Sequence, residues 1–261
     1  MTRDAKRFLS IASACLLVIC IISIVFSALG SFGPAVGDMK TYEVEGEIKT
    51  LEIEINAADF RIVEGDGFLV ESNLSKLRFR QSGERLILKD ESRGNKNYKD
   101  ASLVLYIPEG WSFDKVEIST GAGVFYASLL SAKELDLDFG AGEIVIDELC
   151  ASRDADIEGG AGEITVKGGI LNNPDIEMGA GELNLTSEIT GNADLSFGIG
   201  EANITLIGDL DDYTIKANKG IGSIFVDGTS LSGGETIGNG SSRVVIDGGI
   251  GSINIYLLNL K

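Results

Sequence analysis

A Gly-x-Gly element that returns about every 19 residues is the feature that most restricts how this chain can fold. When the copies are aligned on their first glycine, the positions three before it and one, four and six after it are apolar in every copy. Apolar residues two apart predict short strands with one buried face, and the glycines predict corners between those strands. The first glycines of the copies are Gly121, Gly140, Gly160, Gly179, Gly198, Gly220 and Gly249.

Two short strands in about 19 residues cannot bury an apolar row alone, but stacked copies can. We therefore predict an all-β fold, a single-stranded β-helix or β-solenoid, in which equivalent residues of successive coils form rows about 4.8 Å apart. The segment 51–63, LEIEINAADFRIV, fits the same pattern with Asn56 at the corner, which predicts an earlier coil. Between 66 and 108 the pattern changes to longer strands, which we expect to flank or cap the first coils as antiparallel strands.

An uncharged apolar segment of 22 residues spans 8–29 and is long enough to cross a bilayer as a helix. Basic residues precede it, which places the N-terminus in the cytoplasm and the rest of the chain outside. The predicted organisation is a cytoplasmic stub at 1–7, a transmembrane helix at 8–29, a spacer at 30–40 and an extracytoplasmic domain at 41–261. The alternative is a cleaved signal peptide, because residues 28–30 resemble a cleavage site, and the domain would then be secreted.

The charge and the residue types exclude several classes of function. A net charge of −18 at pH 7 repels nucleic acid and anionic lipid headgroups, and it favours cations or basic proteins as partners. The sequence has no histidine, which excludes histidine-based acid–base catalysis, Ser-His-Asp triads and histidine metal sites. Beyond the apolar segment Cys150 is the one cysteine, so the predicted domain has no internal disulfide.

Several sequence segments resemble a bacterial family of DUF4097-like envelope β-helices that carry the provisional label of adhesins. The resemblance spans about residues 45–256, and it implies an envelope-associated, non-catalytic β-solenoid, with links to envelope-stress sensing in some members. It implies neither a catalytic residue nor a cofactor. The segments that carry it are LEIEINAADFRIVEGDG, LVLYIPEG, STGAG, DFGAGEIVI, GGAGEITV, MGAGELNL and FGIGEANITL.

Acidic residues recur at two outward-facing positions of the repeat. Adjacent like charges about 4.8 Å apart repel by about 1 kcal/mol in water, and Ca²⁺ bound between them would relieve this repulsion. We therefore consider two interpretations, a solvated face that keeps the domain soluble and a weak cation-binding surface. The row four residues before the corner contains Glu117, Asp136, Asp156, Asp175 and Asp194. The row three residues after it contains Glu143, Glu163, Glu182 and Glu201.

A basic stretch lies between residues 76 and 99. Its side chains could contact an anionic wall polymer or the acidic face of another copy. The alternative is that they are the exposed faces of strands whose inner faces carry apolar residues. Those inner residues are Leu77, Phe79, Leu86 and Leu88.

The sequence predicts a membrane-anchored extracytoplasmic binding or scaffold module without catalytic residues or cofactors. Its expected partner is a protein or an envelope polymer, because a rigid stack offers broad faces rather than an enclosing pocket. One alternative is a sensor of envelope stress that acts through a partner membrane protein. A less favoured alternative is a polysaccharide-active enzyme, since carboxylate pairs such as Asp136 and Asp138 can in principle cleave glycosides.

Overall fold

The computed structural model of the chain describes residues 35–93 and 96–259, and this part is built almost entirely of β-strands. A short 3₁₀ turn at Leu210–Asp212 is its one helical element. The predicted transmembrane segment 8–29 lies outside the described residues. Within the described ranges, no helix is long and apolar enough to cross a membrane.

The strands are numbered β1 to β14 in chain order, and the longest of them, β7, runs through three successive coils. The strands are β1 (Val36–Glu43), β2 (Thr50–Gly65), β3 (Leu69–Leu74), β4 (Leu77–Ser82), β5 (Arg85–Asp90), β6 (Ser102–Pro108), β7 (Phe113–Val166), β8 (Ile170–Asn172), β9 (Pro174–Thr190), β10 (Asn192–Ile207), β11 (Tyr213–Val226), β12 (Thr229–Ser230), β13 (Glu235–Gly238) and β14 (Ser242–Leu258).

The repeats stack as parallel coils with their corners in register, which confirms the predicted all-β stack. The predicted early coil is β2, whose Ala57 pairs with Ala122 at the first corner of β7. At the other end of β7, Gly162 pairs with Gly181 of β9, which in turn pairs with Gly200 of β10. Because every coil repeats the same strand–corner–strand pattern, equivalent side chains form continuous rows along the stack.

The core consists of the inward-facing rows of these coils. Phe60, Phe125 and Phe139 are buried and lie above one another in three successive layers, with ring centroids 5.0 and 5.3 Å apart. Aliphatic rows continue the core towards the C-terminal end, where Ile204 and Ile255 are fully buried. Burying one such side chain contributes about 1.5–3 kcal/mol, so the alternating pattern stabilises each coil only when its neighbours are present.

The order of the last two coils differs from the expected one. The sequence suggests that β11 follows β10 and that β14 comes last. Instead, β14 lies between β10 and β11 and pairs in parallel with both. The neighbour of Asp194 in the row four residues before the corner is therefore Val245, and not Lys216 as the chain order implies.

The central residue of each Gly-x-Gly points away from the core, although it is apolar in every copy. Ala161 is exposed, and Ile199 and Ile221 are 45% and 60% exposed. The chain turns at the two flanking glycines, so this residue projects from the outside of the corner. Its apolar character therefore does not indicate burial, in contrast to the apolar positions on either side.

Additional strands cover both ends of the stack. At the N-terminal end β5 and β6 pair with β2 in parallel, and β4, β3 and β1 extend this layer as antiparallel strands. The flanking strands predicted for 66–108 are present, but the two that contact the first coil run parallel to it and not antiparallel as predicted. The first strand begins at Val36, within the segment 30–40 predicted as a spacer. At the C-terminal end β12 and β13 pair with the outer edge of β11.

Candidate binding surface

The first glycines of the corners form a row that no side chain could occupy. A Cβ atom placed on Gly160, Gly198 or Gly249 would lie within 3.0 Å of the carbonyl oxygen of the corner glycine in the adjacent coil. The backbones of successive coils therefore approach one another closely here. Because glycine has only a hydrogen atom in place of a side chain, this backbone is open to solvent. The consequence is a shallow channel that follows the stack axis and has backbone as its floor.

This channel, which we call the acidic groove, crosses five layers from Asp138 to Asp247 and has a volume of about 590 Å³. Five layers at about 4.8 Å correspond to a length of roughly 19 Å. Met178 and Phe197 border its floor. The residues two places before each corner form its rim, and they are Asp138, Glu158, Glu177, Ser196 and Asp247.

The predicted row four residues before the corner lies beside this rim on the same outward face. Asp156, Asp175 and Asp194 are direct neighbours across successive strands, and all three are exposed. Glu158 and Glu177 are neighbours in the same way two residues further along the strand. The two rows together form a block of carboxylates on one wall of the solenoid. At the N-terminal end of this wall, Glu117 pairs with Lys115.

The pKa values of carboxyl groups in this block are raised above their ordinary range. Partial desolvation by the surrounding strands raises the pKa of Asp156, and the charges of Asp175 and Asp136 add to the shift. Desolvation likewise raises the pKa of Asp175, with Glu177 and Asp194 as the contributing charges. Desolvation and neighbouring carboxylates raise the pKa of Glu158 in the same direction. The charges that act on these three groups are all negative, so a cation in the groove would be attracted by each of them.

Carboxylates at the N-terminal end of the domain are in the opposite situation. Lys89 and Arg85 bind Glu52 and lower its pKa. Further along the stack, in the same coil as Asp138, Lys167 and the Tyr126 hydroxyl lower the pKa of Asp147. Internal partners thus stabilise these acids, whereas the block beside the groove has like charges as its neighbours.

The second predicted row, three residues after the corner, is aligned as expected but has hydrogen-bond donors within reach. Glu163, Glu182 and Glu201 lie on successive strands. The Asn184 side chain donates to Glu182 at 2.9 Å, and the Asn254 side chain donates to Glu201 at 3.3 Å. Glu143 lies at the same position one layer before Glu163. The amide donors make this wall less available to an external cation than the groove wall.

No three of the described aspartate, glutamate and cysteine side chains converge closely enough to hold a metal ion together. The carboxylates are arranged in lines instead, with one or two in each layer. Such an arrangement suits an extended ligand with several positive charges better than a single ion held in a closed shell of oxygen ligands. Whether the rows bind Ca²⁺ stays a prediction.

The family model of DUF4097, described as Toastrack DUF4097, matches residues 42–242 of this sequence. The chain belongs to this family. The match begins within β1, covers β2 to β13 with the corners up to Gly220, and ends where β14 begins.

This Toastrack chain is similar to solved structures from several bacteria, and the three described next are 13–18% identical to it. A "putative cell adhesion protein" from Clostridium sporogenes is 18% identical, with 84% of this chain and 99% of that chain covered and a TM-score of 0.37. A "putative adhesin" from Parabacteroides distasonis is 13% identical, with 85% and 100% covered and a TM-score of 0.45. A "putative lipid binding protein" from the same species is 13% identical, with 86% and 99% covered and a TM-score of 0.38. No curated protein is significantly similar in sequence.

Three residues of the basic stretch of this Toastrack domain, Arg78, Arg85 and Lys89, form local ion pairs. Arg78 pairs with Glu91 at 3.0 Å, and Lys89 pairs with Glu52 at 2.7 Å. Of the four predicted inner-face residues, Leu86 and Leu88 are fully buried, and Leu77 and Phe79 are half-buried against the core. The contacts favour the interpretation of this stretch as exposed strand faces. Cys150, on the following coils, is half-buried.

Sequence reasoning found the carboxylate rows but missed two features of the Toastrack surface. The first is the groove rim two residues before each corner. These residues face outward like the predicted row two residues earlier in the strand, so the alternation of strand faces could have identified them. The second is a row of asparagines five residues after the corner, in which Asn203 donates to Asn184 at 3.1 Å and Asn254 donates to Asn203 at 3.0 Å. The position of Asn254 in this row depends on the reversed order of the last coils, which the sequence does not reveal.

Proposed function

We propose that this Toastrack chain is a non-catalytic binding module, held outside the cytoplasm by residues 8–29, whose acidic groove binds a positively charged partner. The observation that carries the proposal is a groove about 19 Å long, estimated from the spacing of strands, along which the nearest charges of Asp156, Glu158 and Asp175 are other carboxylates. A partner with several Lys or Arg side chains would neutralise this wall and gain favourable electrostatic energy.

The geometry supports binding more than catalysis. The groove is open along its length, and its floor is backbone rather than a set of converging side chains. Glycoside cleavage needs one protonated and one ionised carboxyl group on opposite sides of the scissile bond. Asp136 and Asp138 instead project from the same strand face, two residues apart. An extended cationic protein segment or polymer fits this surface better than a small substrate.

Binding can be tested with an octalysine peptide as the probe and the full chain in detergent, using calorimetric titration at low ionic strength. We expect E158Q/E177Q to weaken the affinity by about tenfold, because charged contacts across an interface change binding by about 1 kcal/mol or more. The matched control D38N/E43Q removes two exposed charges from β1 at the far end of the domain and should leave the affinity within about twofold.

Equal losses in the two double variants would show a non-specific response to net charge and would reject the groove as the binding site. Titration with CaCl₂ in the same buffer separates the two kinds of ligand. Competition of Ca²⁺ with octalysine for wild-type chain, but not for E158Q/E177Q, would place both cations in the groove. Heat from Ca²⁺ that E158Q/E177Q leaves unchanged would assign the ion to another surface.

The proposed anchoring is tested independently of the ligand. Protease added to spheroplasts should digest a C-terminal epitope tag if the domain lies outside the cytoplasm. The mass of the mature chain distinguishes an anchor from a cleaved signal, since cleavage near residue 30 removes the whole apolar segment. Protection of the tag in intact spheroplasts would contradict the proposed location and leave the groove experiment unaffected.

A further inference from the structure

The reversed order of the last two coils raises the question of which strand belongs beside β10. At present β14 occupies that edge, where residues from Arg243 to Leu258 pair in parallel with Asn192 to Ile207. The strand that follows β10 in the chain, β11, lies one layer further out and pairs with β14 instead. The chain therefore passes over one layer after β10 and later returns to fill it.

The two strands carry the same pattern and could occupy the same edge. Gly220 and Gly222 of β11 lie directly beside Gly249 and Gly251 of β14, so both strands bring corner glycines to the same positions. A β11 strand moved down by one layer would place Gly222 beside Gly200. The inward positions of β11 are apolar and buried in its present layer, and they would face the same core one layer lower.

The charges also permit the exchange. Lys216 of β11 now lies beside Val245 of β14. In the lower position Lys216 would lie beside Asp194, where its ammonium group would meet the end of the acidic row. An ion pair between exposed residues at this position would contribute up to about 1 kcal/mol.

The connections on both sides of β11 would tolerate the move. Residues 208–212 now bridge two layers, a rise of about 9.6 Å, and would need to bridge only one. The cap would move together with β11, because β12 and β13 pair with β11 itself and not with β14. Loss of β14 from its layer thus leaves a shorter stack whose outer edge is still covered.

The asparagine row explains why β14 occupies the edge instead. The Asn254 side chain donates to the side-chain Oδ1 of Asn203 at 3.0 Å and continues the row that begins at Asn184. The equivalent residue of β11 is Phe225, which cannot make these hydrogen bonds. The Tyr213 hydroxyl, which donates to the Ile207 carbonyl oxygen at 2.6 Å, further stabilises β11 in its outer position.

We propose that the edge of β10 is a strand-binding site shared by β14 and β11, that Asn254 selects β14, and that β11 occupies this edge whenever β14 is weakened or has not yet emerged. In N- to C-terminal synthesis or export, β11 is the first of the two strands to reach β10. The C-terminal coil then displaces it by strand exchange. The solenoid end accordingly has two closed arrangements that differ by one layer.

Disulfide trapping in the full chain distinguishes the two arrangements, with Cys15, Cys20 and Cys150 replaced by serine. Ser196 pairs with Asp247, and Asp247 pairs with Asn218, so residues 196 and 247 lie in adjacent layers whereas residues 196 and 218 lie two layers apart. Only the adjacent-layer spacing of about 4.8 Å suits a disulfide. S196C/D247C therefore reports β14 beside β10, and S196C/N218C reports β11 beside β10.

The decisive variant is G251V, which places a Cβ against the Gly200 carbonyl oxygen and excludes β14 from the edge. We expect it to raise the yield of the S196C/N218C disulfide by about tenfold or more and to abolish the S196C/D247C disulfide. The matched control G222V puts the same side chain on the equivalent glycine of β11, and it should leave the S196C/D247C disulfide intact.

A milder exchange, F225N/N254F, transfers the amide from β14 to β11 without adding a steric clash at a corner. It should shift the disulfide yields in the same direction as G251V. If neither variant increases the S196C/N218C disulfide, β11 does not bind β10 and the shared site is rejected. If G251V increases it but F225N/N254F does not, the strands compete but Asn254 does not select between them.

Discussion

At a single corner, the second glycine meets two independent requirements. Gly162 has a φ of +141°, and a Cβ on it would lie within 3.0 Å of the Gly142 carbonyl oxygen in the adjacent coil. The first requirement is conformational and the second is a close approach between backbones. Any side chain at this position therefore strains the corner and pushes two coils apart, whereas the neighbouring Ala161 projects freely from the same corner.

We predict that G162A destabilises the domain by more than about 3 kcal/mol in urea denaturation, because the backbone clash cannot be relieved by a rotamer change. The control A161V, one residue away, should change the free energy of unfolding by less than about 0.5 kcal/mol. Ile199 already occupies the equivalent position of another coil. Similar losses from both substitutions would contradict the assignment of the close approach to Gly162.

At the scale of strands, the sequence predicts the elements and their register well. The period of two identified the inward rows, and the coincidence of glycines identified the corners, since both follow from the geometry of one coil. The order of β11 and β14 could not be predicted, because both strands satisfy the same local pattern. Their order depends on contacts between coils, such as the hydrogen bond from Asn254 to Asn203. The groove was missed for a related reason. Its floor consists of glycine backbone without side chains, and it becomes a continuous channel only when the coils are stacked.

We predict that N203A destabilises the domain by about 0.5–1.5 kcal/mol, since it removes the middle member of the asparagine row and its hydrogen bonds to both neighbours. The matched control is T205A, which truncates a partly exposed outward side chain two residues further along the same strand. Denaturant unfolding of both variants gives the comparison. A cost for N203A no larger than that for T205A would show that the amide row contributes nothing to stability.

At the scale of the whole molecule, the net charge is −18, and the charged side chains are distributed unevenly along the stack. Acids near the N-terminal cap are bound by Lys and Arg, whereas the groove wall accumulates carboxylates over several layers. The repulsion on this wall is shared among the layers, so it is a property of the stack rather than of one residue. The fold tolerates this repulsion because the inward rows of the same coils bury a continuous core.

Desolvation and repulsion of these carboxylates together predict how stability depends on pH. The pKa values of Asp156 and Asp175 are higher in the folded than in the unfolded chain, so these groups destabilise the fold at neutral pH. The cost disappears as the pH falls through the folded-state values. We expect D156N/D175N to raise the melting temperature by about 1–3 °C at pH 7 and low salt.

The same double variant should have little advantage over wild type at pH 3.5, where protonation removes both the desolvation cost and the repulsion, and a reduced advantage in 1 M NaCl, which screens the repulsion alone. The control D38N/E43Q has the same change in net charge and should shift the melting temperature by less. An advantage of D156N/D175N that persists undiminished at low pH and high salt would assign its effect to packing and not to charge.

The covered ends of the solenoid have a consequence for how such a chain can vary in size. Because β12 and β13 occupy the outer edge of β11, and β1 and β3 to β6 cover the opposite end, an extra coil cannot simply be added at either end of the stack. Growth by duplication has to occur in the interior of the stack. Each added copy of a unit such as β9 would lengthen the acidic groove by one layer and leave the covering strands at both ends unchanged. The number of interior repeats would then determine the length of ligand that such a protein can accommodate.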